Sequence, residues 1–369
     1  MSGSAASGTA CVVERLPVLT RFRAPAILPP DAYSLLRGDA FATPSWYDTV
    51  IEDALPPNTE PIFIVLSLGG RAITVWPLQR RGNKAGALTT PYTSLWHPLT
   101  APGLGIVQLR QAGLVLGKWC RPHGAVRLDC LEPKDTIWPP LIAGLRQAGL
   151  RVLPFDHFGN WHATTAGQSW ETYLAARPGA LREAIRRRTK KAADSGAACR
   201  IITGGAALEP AIAAYEAIYA KSWKQPEPFP NFNASLIRAC AANGSLRLGL
   251  LELHNTAIAA QFWIVRESWA GVLKLAHDEA HKALSPGTVL TAHIIRHLLD
   301  VEHIAELDFG RGDDPYKKDW APQRRQRTGL ILANPWRLSG MVAVARSAVR
   351  AVVRRLRRGA LPLAAPPPK

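Results

Sequence analysis

Glu306-Leu307-Asp308-Phe309-Gly310-Arg311-Gly312-Asp313-Asp314-Pro315-Tyr316-Lys317-Lys318 is the most specific text in this chain. An apolar and acidic strand end runs into two glycines, then acids, a tyrosine and lysines. A strand opening at its carboxyl end into a Gly-rich loop is a common seat for ligands and catalytic groups. Some twenty residues upstream stands Lys282-Ala283-Leu284-Ser285-Pro286-Gly287-Thr288, between a strand and a helix. A helix start offers unpaired N–H groups and a partial positive charge. Glycine lets the backbone approach a phosphate closely, and proline in the first helical turn gives up only an orphan donor. That geometry suits a pyrophosphate. Taken alone, the first stretch is also compatible with a surface turn and the second with a capped structural helix.

Working outward, residues 288–299 read as a helix, 304–309 as a strand and 328–332 as a last strand. Upstream lie three strands, 246–253, 257–265 and 271–276. Leu208, Ile212, Tyr215, Tyr219 and Trp223 form one stripe at helical spacing, and a short helix over 233–242 stops at Asn243-Gly244. Before them come a basic helix over 170–193 and a short strand over 200–203. The first half follows a similar plan: a hairpin over 60–81 turning at Gly69-Gly70, then helix 108–119, strand 126–131, helix 138–148 and strand 150–155. The predicted class is α/β (α+β), with two lobes in tandem, 16–165 and 166–335. Each is a mixed, mostly antiparallel sheet flanked by helices. Residues 1–15 and 359–369 read as disordered, and 336–358 as a basic amphipathic helix. The repeat rests on element order and length, not on residue identity.

Composition supports a globular chain. Of 369 residues, 47% are hydrophobic and 20% charged, which excludes global disorder. Apolar runs fall short of the roughly 20 residues a membrane span needs. The first 25 residues lack the basic start and apolar core of a secretory signal. Five scattered cysteines without C-x-x-C spacing argue against a disulfide framework or a metal site and fit a reducing cytosol. The anomaly is a net charge of +17. It concentrates in residues 177–191, with seven basic residues against Glu183, and in 337–369, with seven arginines and Lys369 against no acid. Such segments seek phosphate, whether of a cofactor, a lipid surface or a nucleic acid. No Walker loop, G-x-S-x-G elbow or H-E-x-x-H motif is present.

The order strand, two helices, three antiparallel strands, helix, strand, short helix, strand resembles the GNAT acyltransferase lobe. The whole chain resembles a tandem of two, the first degenerate. The GNAT phosphate loop has the pattern Arg/Gln-x-x-Gly-x-Gly/Ala. Here Lys282 stands for its first residue, Ser285 for its first glycine and Gly287 for its second; Ser285 and Pro286 depart from it. With the 306–318 run, the text resembles the branch associated with cellulose biosynthesis (CelD/BcsL type), kin to the Fem-type aminoacyl-tRNA-dependent transferases. Its Asp-x-x-x-Gly-x-x-x-Tyr-Lys pattern maps onto Asp308, Gly312, Tyr316 and Lys317, and its arginine-rich helix onto 181–191.

The resemblance implies an acetyl-CoA or other acyl-CoA donor, with no metal, held by Lys282, Leu284, Ser285, Gly287, Thr288 and Val289. It places Tyr316 where a GNAT tyrosine often protonates the leaving thiolate. For the base, His277 and Asp278 end the fourth strand, and His277 titrates in the right range for proton removal at neutral pH. Adjacent strand residues point to opposite faces, so one of the two is expected to face the cleft. Asp308 and Asp313 are alternatives. Gln261 and Trp263 alternate on the third strand and are expected on the acceptor side, with Arg186, Asp313 and Lys317 as further substrate contacts. Arg182, Arg186 and Lys190 lie four apart on one helix face, where like charges repel by about 0.2–0.5 kcal/mol per pair. They read as either a solvated face or a seat for an anionic group.

On a helical wheel, Leu338, Met341, Val342, Ala345, Val349, Val352, Val353 and Leu356 fall on one side of the tail and six arginines on the other. This is the pattern of a helix lying in an anionic bilayer interface, at roughly 1 kcal/mol per basic side chain. A helix packing its stripe on the body has the same wheel.

The leading expectation is an N- or O-acyltransferase of the cytoplasm, peripheral on the inner membrane through 337–358. Its acceptor would be an amine or hydroxyl of an envelope or exopolysaccharide precursor; the polysaccharide link comes from the resemblance alone. Two alternatives are an aminoacyl-tRNA-dependent Fem-like transferase and a non-catalytic membrane-associated assembly factor. The basic segments lack interleaved aromatics, which argues against a plain nucleic-acid binder and leaves tRNA as the nucleic acid of the alternative.

Overall fold

The computed structural model describes residues 16–359, and thirteen of its segments pair into one continuous sheet. In chain order these are β1 (Val18–Phe22), β2 (Thr59–Leu68), β3 (Arg71–Arg81), β4 (Lys84–Ala87), β5 (Leu99–Thr100), β6 (Ala125–Leu131), β7 (Arg151–Thr164), β8 (Ala197–Ile202), β9 (Leu246–Leu253), β10 (Thr256–Arg266), β11 (Trp269–His277), β12 (Glu306–Arg311) and β13 (Gln323–Ala333). The helices are α1 (Pro30–Tyr33), α2 (Pro44–Asp53), α3 (Ile106–Cys120), α4 (Trp138–Gln147), α5 (Trp170–Ala175), α6 (Gly179–Asp194), α7 (Leu208–Ala220), α8 (Phe232–Ala242), α9 (Pro286–Asp300), α10 (Lys317–Trp320) and α11 (Leu338–Gly359).

The strand order is β1-β2-β3-β4-β6-β13-β7-β12-β11-β10-β9-β8, with β5 beside β3. Read from either end, the sheet repeats one plan. Three antiparallel pairs are followed by a parallel pair, β4 with β6 in the first half and β11 with β12 in the second. The penultimate strand of each half then pairs with the last strand of the other, β6 with β13 and β12 with β7. β7 and β13 pair antiparallel over Gln323–Ala333. Each half has therefore handed its final strand to its neighbour, and the internal repeat visible only as element order in the sequence is explicit in the pairing.

Packing ties the halves together a second time. One core joins Trp46, Tyr47 and Phe63 of the first half to Tyr215, Phe232 and Phe262 of the second. Tyr92 stacks on Phe232 at 4.3 Å, and Trp46 meets the same ring edge-on at 5.9 Å. Burying such side chains contributes roughly 2–3 kcal/mol each. A second core lies under α3 and α4 and includes Leu330 and Leu332 of β13; a third lies under α9 and includes Ala163 of β7. α3 and α4 cross closely because Gly113 and Gly144 face the opposite backbone. A Cβ at Gly144 would stand 1.9 Å from the Arg110 carbonyl oxygen.

Several sequence expectations need correction. The basic helix over 170–193 is two helices, α5 and α6, because Pro178 in extended backbone breaks the run. The last first-half strand continues to Thr164, since its polar second half is covered by β12 and β13. The α7 stripe ends at Ala220, and Trp223 lies in the loop beyond, about half exposed. β1 and α2 carry no strong periodic signal. The termini expected to be disordered lie outside the described residues, apart from Gly359, which ends α11. Among the described residues no helix is long and apolar enough to cross a membrane.

Candidate active site

β11 and β12 pair over only three residues, Trp269–Gly271 with Glu306–Asp308, and then part. Two irregularities part them. β11 carries an extra residue, Leu273, because Lys274 pairs with Phe262 while Val272 pairs with Trp263. β12 bulges between Asp308 and Arg311 at Gly310, which has φ of 67°. Only glycine suits that position: a Cβ would stand 3.0 Å from the Val272 carbonyl oxygen in a backbone conformation L residues rarely adopt. The bulge is fastened by Asp308. Its Oδ1 accepts from the Gly310 N–H (2.7 Å) and from Asn160 Nδ2 (2.7 Å), and its Oδ2 meets Arg325 Nη2 at 2.6 Å.

A cavity of about 230 Å³ opens where the strands part. β11 contributes Val272 to Leu275, and β12 contributes Phe309, Gly310 and Arg311. The following loop adds Asp314, Tyr316 and Lys317, and the loop after α7 adds Trp223 and Lys224. The first half contributes Pro91, Tyr92 and Ser94, so both halves build this wall. Tyr316 caps the short α10 and faces the cavity. The residue is 39% exposed, yet desolvation of its hydroxyl by the surrounding wall, then the neighbouring Asp314 carboxylate, raise the phenol above its ordinary range, which keeps it protonated at neutral pH. Lys317 is buried. Its Nζ donates to the Arg311 carbonyl (2.6 Å) and pairs with Asp314 (2.9 Å), which braces the loop carrying Tyr316.

A line of side-chain contacts joins this cavity to the start of α9. The Trp223 ring lies 4.6 Å from that of His277, and a Cβ on Gly287 would meet His277 Nδ1 at 3.7 Å. Burial lowers the pKa of His277, although Glu279 Oε1 stands 3.2 Å from its Nε2. The imidazole is thus biased toward its neutral, proton-accepting form.

The α9 turn fits a phosphate more by charge than by backbone donors. Pro286 has no N–H, and the Thr288 and Val289 amides bond to the carbonyl of Ser285, which is left-handed (φ 50°). The Gly287 amide is, among the described residues, the N–H of this turn without a protein partner. Three cations belong to the turn just before it: Lys282 is exposed there, and Arg188 Nη1 and Lys191 Nζ from α6 reach the Ala283 carbonyl at 2.9 and 3.4 Å. Among the described residues no cluster of His, Cys, Asp or Glu is placed to hold a metal ion.

The structure brings Tyr316, His277, Lys317 and Gly287 along one path and sends other expected site residues elsewhere. Gln261 and Trp263 do not face an acceptor. The Gln261 amide donates to the Gly287 carbonyl (3.1 Å) and Thr291 Oγ1 (2.6 Å) and accepts from Trp263 Nε1 (3.0 Å), so the pair moors α9 to β10. Asp278 caps the turn after β11 by accepting from the Ala280 N–H. Asp308 is consumed by the bulge. Asp313 is held by Arg324 at 2.7 Å and lowered in pKa by that contact, and exposed Arg186 pairs with Glu183. The side chains of Leu284 and Val289 pack on the core under α9. Residues the sequence reading missed are Tyr92, Trp223, Lys224, Glu227 and Lys274. The only cue was the aromatic and proline richness of 91–102 and 223–230.

Residues 179–318 match the sequence profile of an acetyltransferase (GNAT) domain. No curated protein matches the chain. Among solved structures, FemX is 11% identical, with 80% of this chain and 93% of FemX covered and a TM-score of 0.55. The C-terminal domain of a candidate lysylphosphatidylglycerol synthetase from Agrobacterium fabrum is also 11% identical, with 78% of this chain and 87% of that domain covered and a TM-score of 0.50. At that identity the likeness concerns the fold. Profile and structures together show a GNAT-like fold, with a segment of the second half, residues 179–318, similar to a GNAT acetyltransferase domain.

Proposed function

We propose that the chain transfers an acyl group from acyl-CoA to an amine or hydroxyl. The observation that supports this best is the chain of contacts from Gly287 of the α9 turn through His277 and Trp223 to a cavity walled by Tyr316. Phosphates of the donor would lie against Gly287, Lys282, Arg188 and Lys191, with the thioester carried along Trp223 into the cavity. Neutral His277 takes the proton from the acceptor as its nitrogen or oxygen attacks the carbonyl carbon. The bulge at Leu273 would leave a backbone amide unpaired beside the cavity, suited to the developing oxyanion. As the C–S bond breaks, Tyr316 gives its proton to the thiolate. Calorimetric titration of acetyl-CoA into the full chain tests this: micromolar binding that disappears in Gly287→Trp is expected. A folded protein that binds no acyl-CoA would sink it.

The acceptor class follows the CelD/BcsL resemblance, an envelope or exopolysaccharide precursor on the cytoplasmic side of the membrane. α11 would bring the enzyme to that surface. From Met341 to Arg350 no residue of α11 is buried, and Trp336, 83% exposed, stands just before it. That exposure favours a membrane-facing stripe over one packed on the body.

One observation favours a second reading. Arg188 and Lys191 extend the positive charge from the α9 turn along α6, which would suit a longer polyanion such as aminoacyl-tRNA. Salt-sensitive tRNA binding without acetyl-CoA binding would favour it.

A further inference from the structure

A second cavity, of about 420 Å³, lies beside the first and is walled by Tyr215, Tyr219, Pro226 and Glu227. Lys224 lines both. The other cations of the first cavity are answered within the protein. Lys274 Nζ lies 2.5 Å from Glu227 Oε1, and Glu227 Oε2 accepts from the Tyr92 hydroxyl at 2.7 Å. Lys317 is held by Asp314 and the Arg311 carbonyl. Arg311 Nη1 donates to the carbonyls of Thr90, Pro91 and Thr93. Lys224 has, among the described residues, no carboxylate within ion-pair distance. Its ammonium stands 5.8 Å from the centre of the Trp223 ring and 5.9 Å from that of Tyr219. Four cations thus line the first cavity with one carboxylate, Asp314, while Glu227 and the exposed Glu216 line the second. Burial first, then Lys274, lower the Lys224 pKa, while Glu227 and Asp314 oppose the shift and Lys317 adds to it. A half-buried ammonium so placed lacks a counter-ion.

We infer that Lys224 recognises a carboxylate or phosphate on the acyl acceptor, so that the acceptor is an anionic amine or alcohol. This rests on the acyl-transfer reading. The donor's phosphates have their own cations at the α9 turn, at the other end of the path. An acceptor anchored at Lys224 holds its nucleophile in the space between Lys224 and Tyr316, within the same wall. Partial burial makes that contact stronger than a surface ion pair, because the surrounding dielectric is lower.

The test uses the full-length protein with its lysines dimethylated by ¹³C-formaldehyde, the Lys224 signal being identified by its loss in Lys224→Arg. The probes are acetate, inorganic phosphate and, as the neutral control, acetamide. The Lys224 signal is expected to respond saturably to acetate or phosphate, with its pKa rising by about one unit or more, and not to acetamide. Which anion acts distinguishes a carboxylate from a phosphate acceptor. A Lys224 signal unmoved by both anions overturns the proposal. Acetyl-CoA titrated into the same sample separates the two readings. Binding without an anion response removes the Lys224 assignment and leaves acyl transfer standing. An anion response without acetyl-CoA binding overturns the acceptor role.

Discussion

Asp308, fully engaged with Asn160, Gly310 and Arg325, turns β12 rather than touching the cavity. Removing a buried charge that holds another costs about 3–5 kcal/mol. Asp308→Ala is therefore expected to lower unfolding free energy by about 3 kcal/mol in urea melts; an unchanged midpoint would contradict the bulge-fastening role. Tyr316→Phe should behave in the opposite way, keeping the melt and acetyl-CoA affinity while losing on the order of 100-fold in kcat. The pH profile follows from His277. Burial holds its pKa below 6.5, so the neutral ring persists as pH falls through that value and is lost only at lower pH. The acid limb of kcat/KM should fall below pH 6.5 and vanish, with most activity, in His277→Gln. The raised Tyr316 phenol puts no alkaline limb below pH 10.

Among the elements, α11 makes the clearest prediction. Leu338, Met341 and Val349 are more than half exposed, on a helix whose arginines face no acid of their own segment. The chain ending at residue 336 should lose cosedimentation with phosphatidylglycerol vesicles, and the intact chain should lose it as salt rises. Equal binding to phosphatidylcholine vesicles would count against the charge argument. The periodicity of α11 was readable because it is local, as were the β2–β3 hairpin, α9 and the β9–β11 meander. The 306–318 run likewise put two glycines and Tyr316 after the strand end, although it read Gly310 as loop rather than as a bulge within β12. Lys224 and Glu227 were hidden: they sit in a proline-rich loop without period and meet Lys274 only through the fold. Gln261 and Trp263 misled because alternation says which residues share a face, not which neighbour covers it. Asp308 misled because a carboxylate at a strand end reads the same whether or not an arginine from β13 consumes it.

At the scale of the molecule, the exchanged strands and the shared aromatic core make the halves interdependent. Residues 16–165 expressed alone should aggregate or remain unfolded, since β6 would lack one of its partners and β7 both, and co-expression with 166–369 should restore a soluble complex. A soluble, folded first fragment would refute that dependence. Thermal unfolding of the whole chain should be one transition, with near-ultraviolet and far-ultraviolet dichroism coinciding. The exchange was not legible in the sequence, because pairing between strands nearly 170 residues apart leaves no local trace. It also imposes an order on biosynthesis. β7 leaves the ribosome long before β13, and at about 5–20 residues per second the interval is roughly 10–30 s. During that time the first-made half of the protein waits, one edge of β6 and both of β7 raw, for strands that are translated near the end.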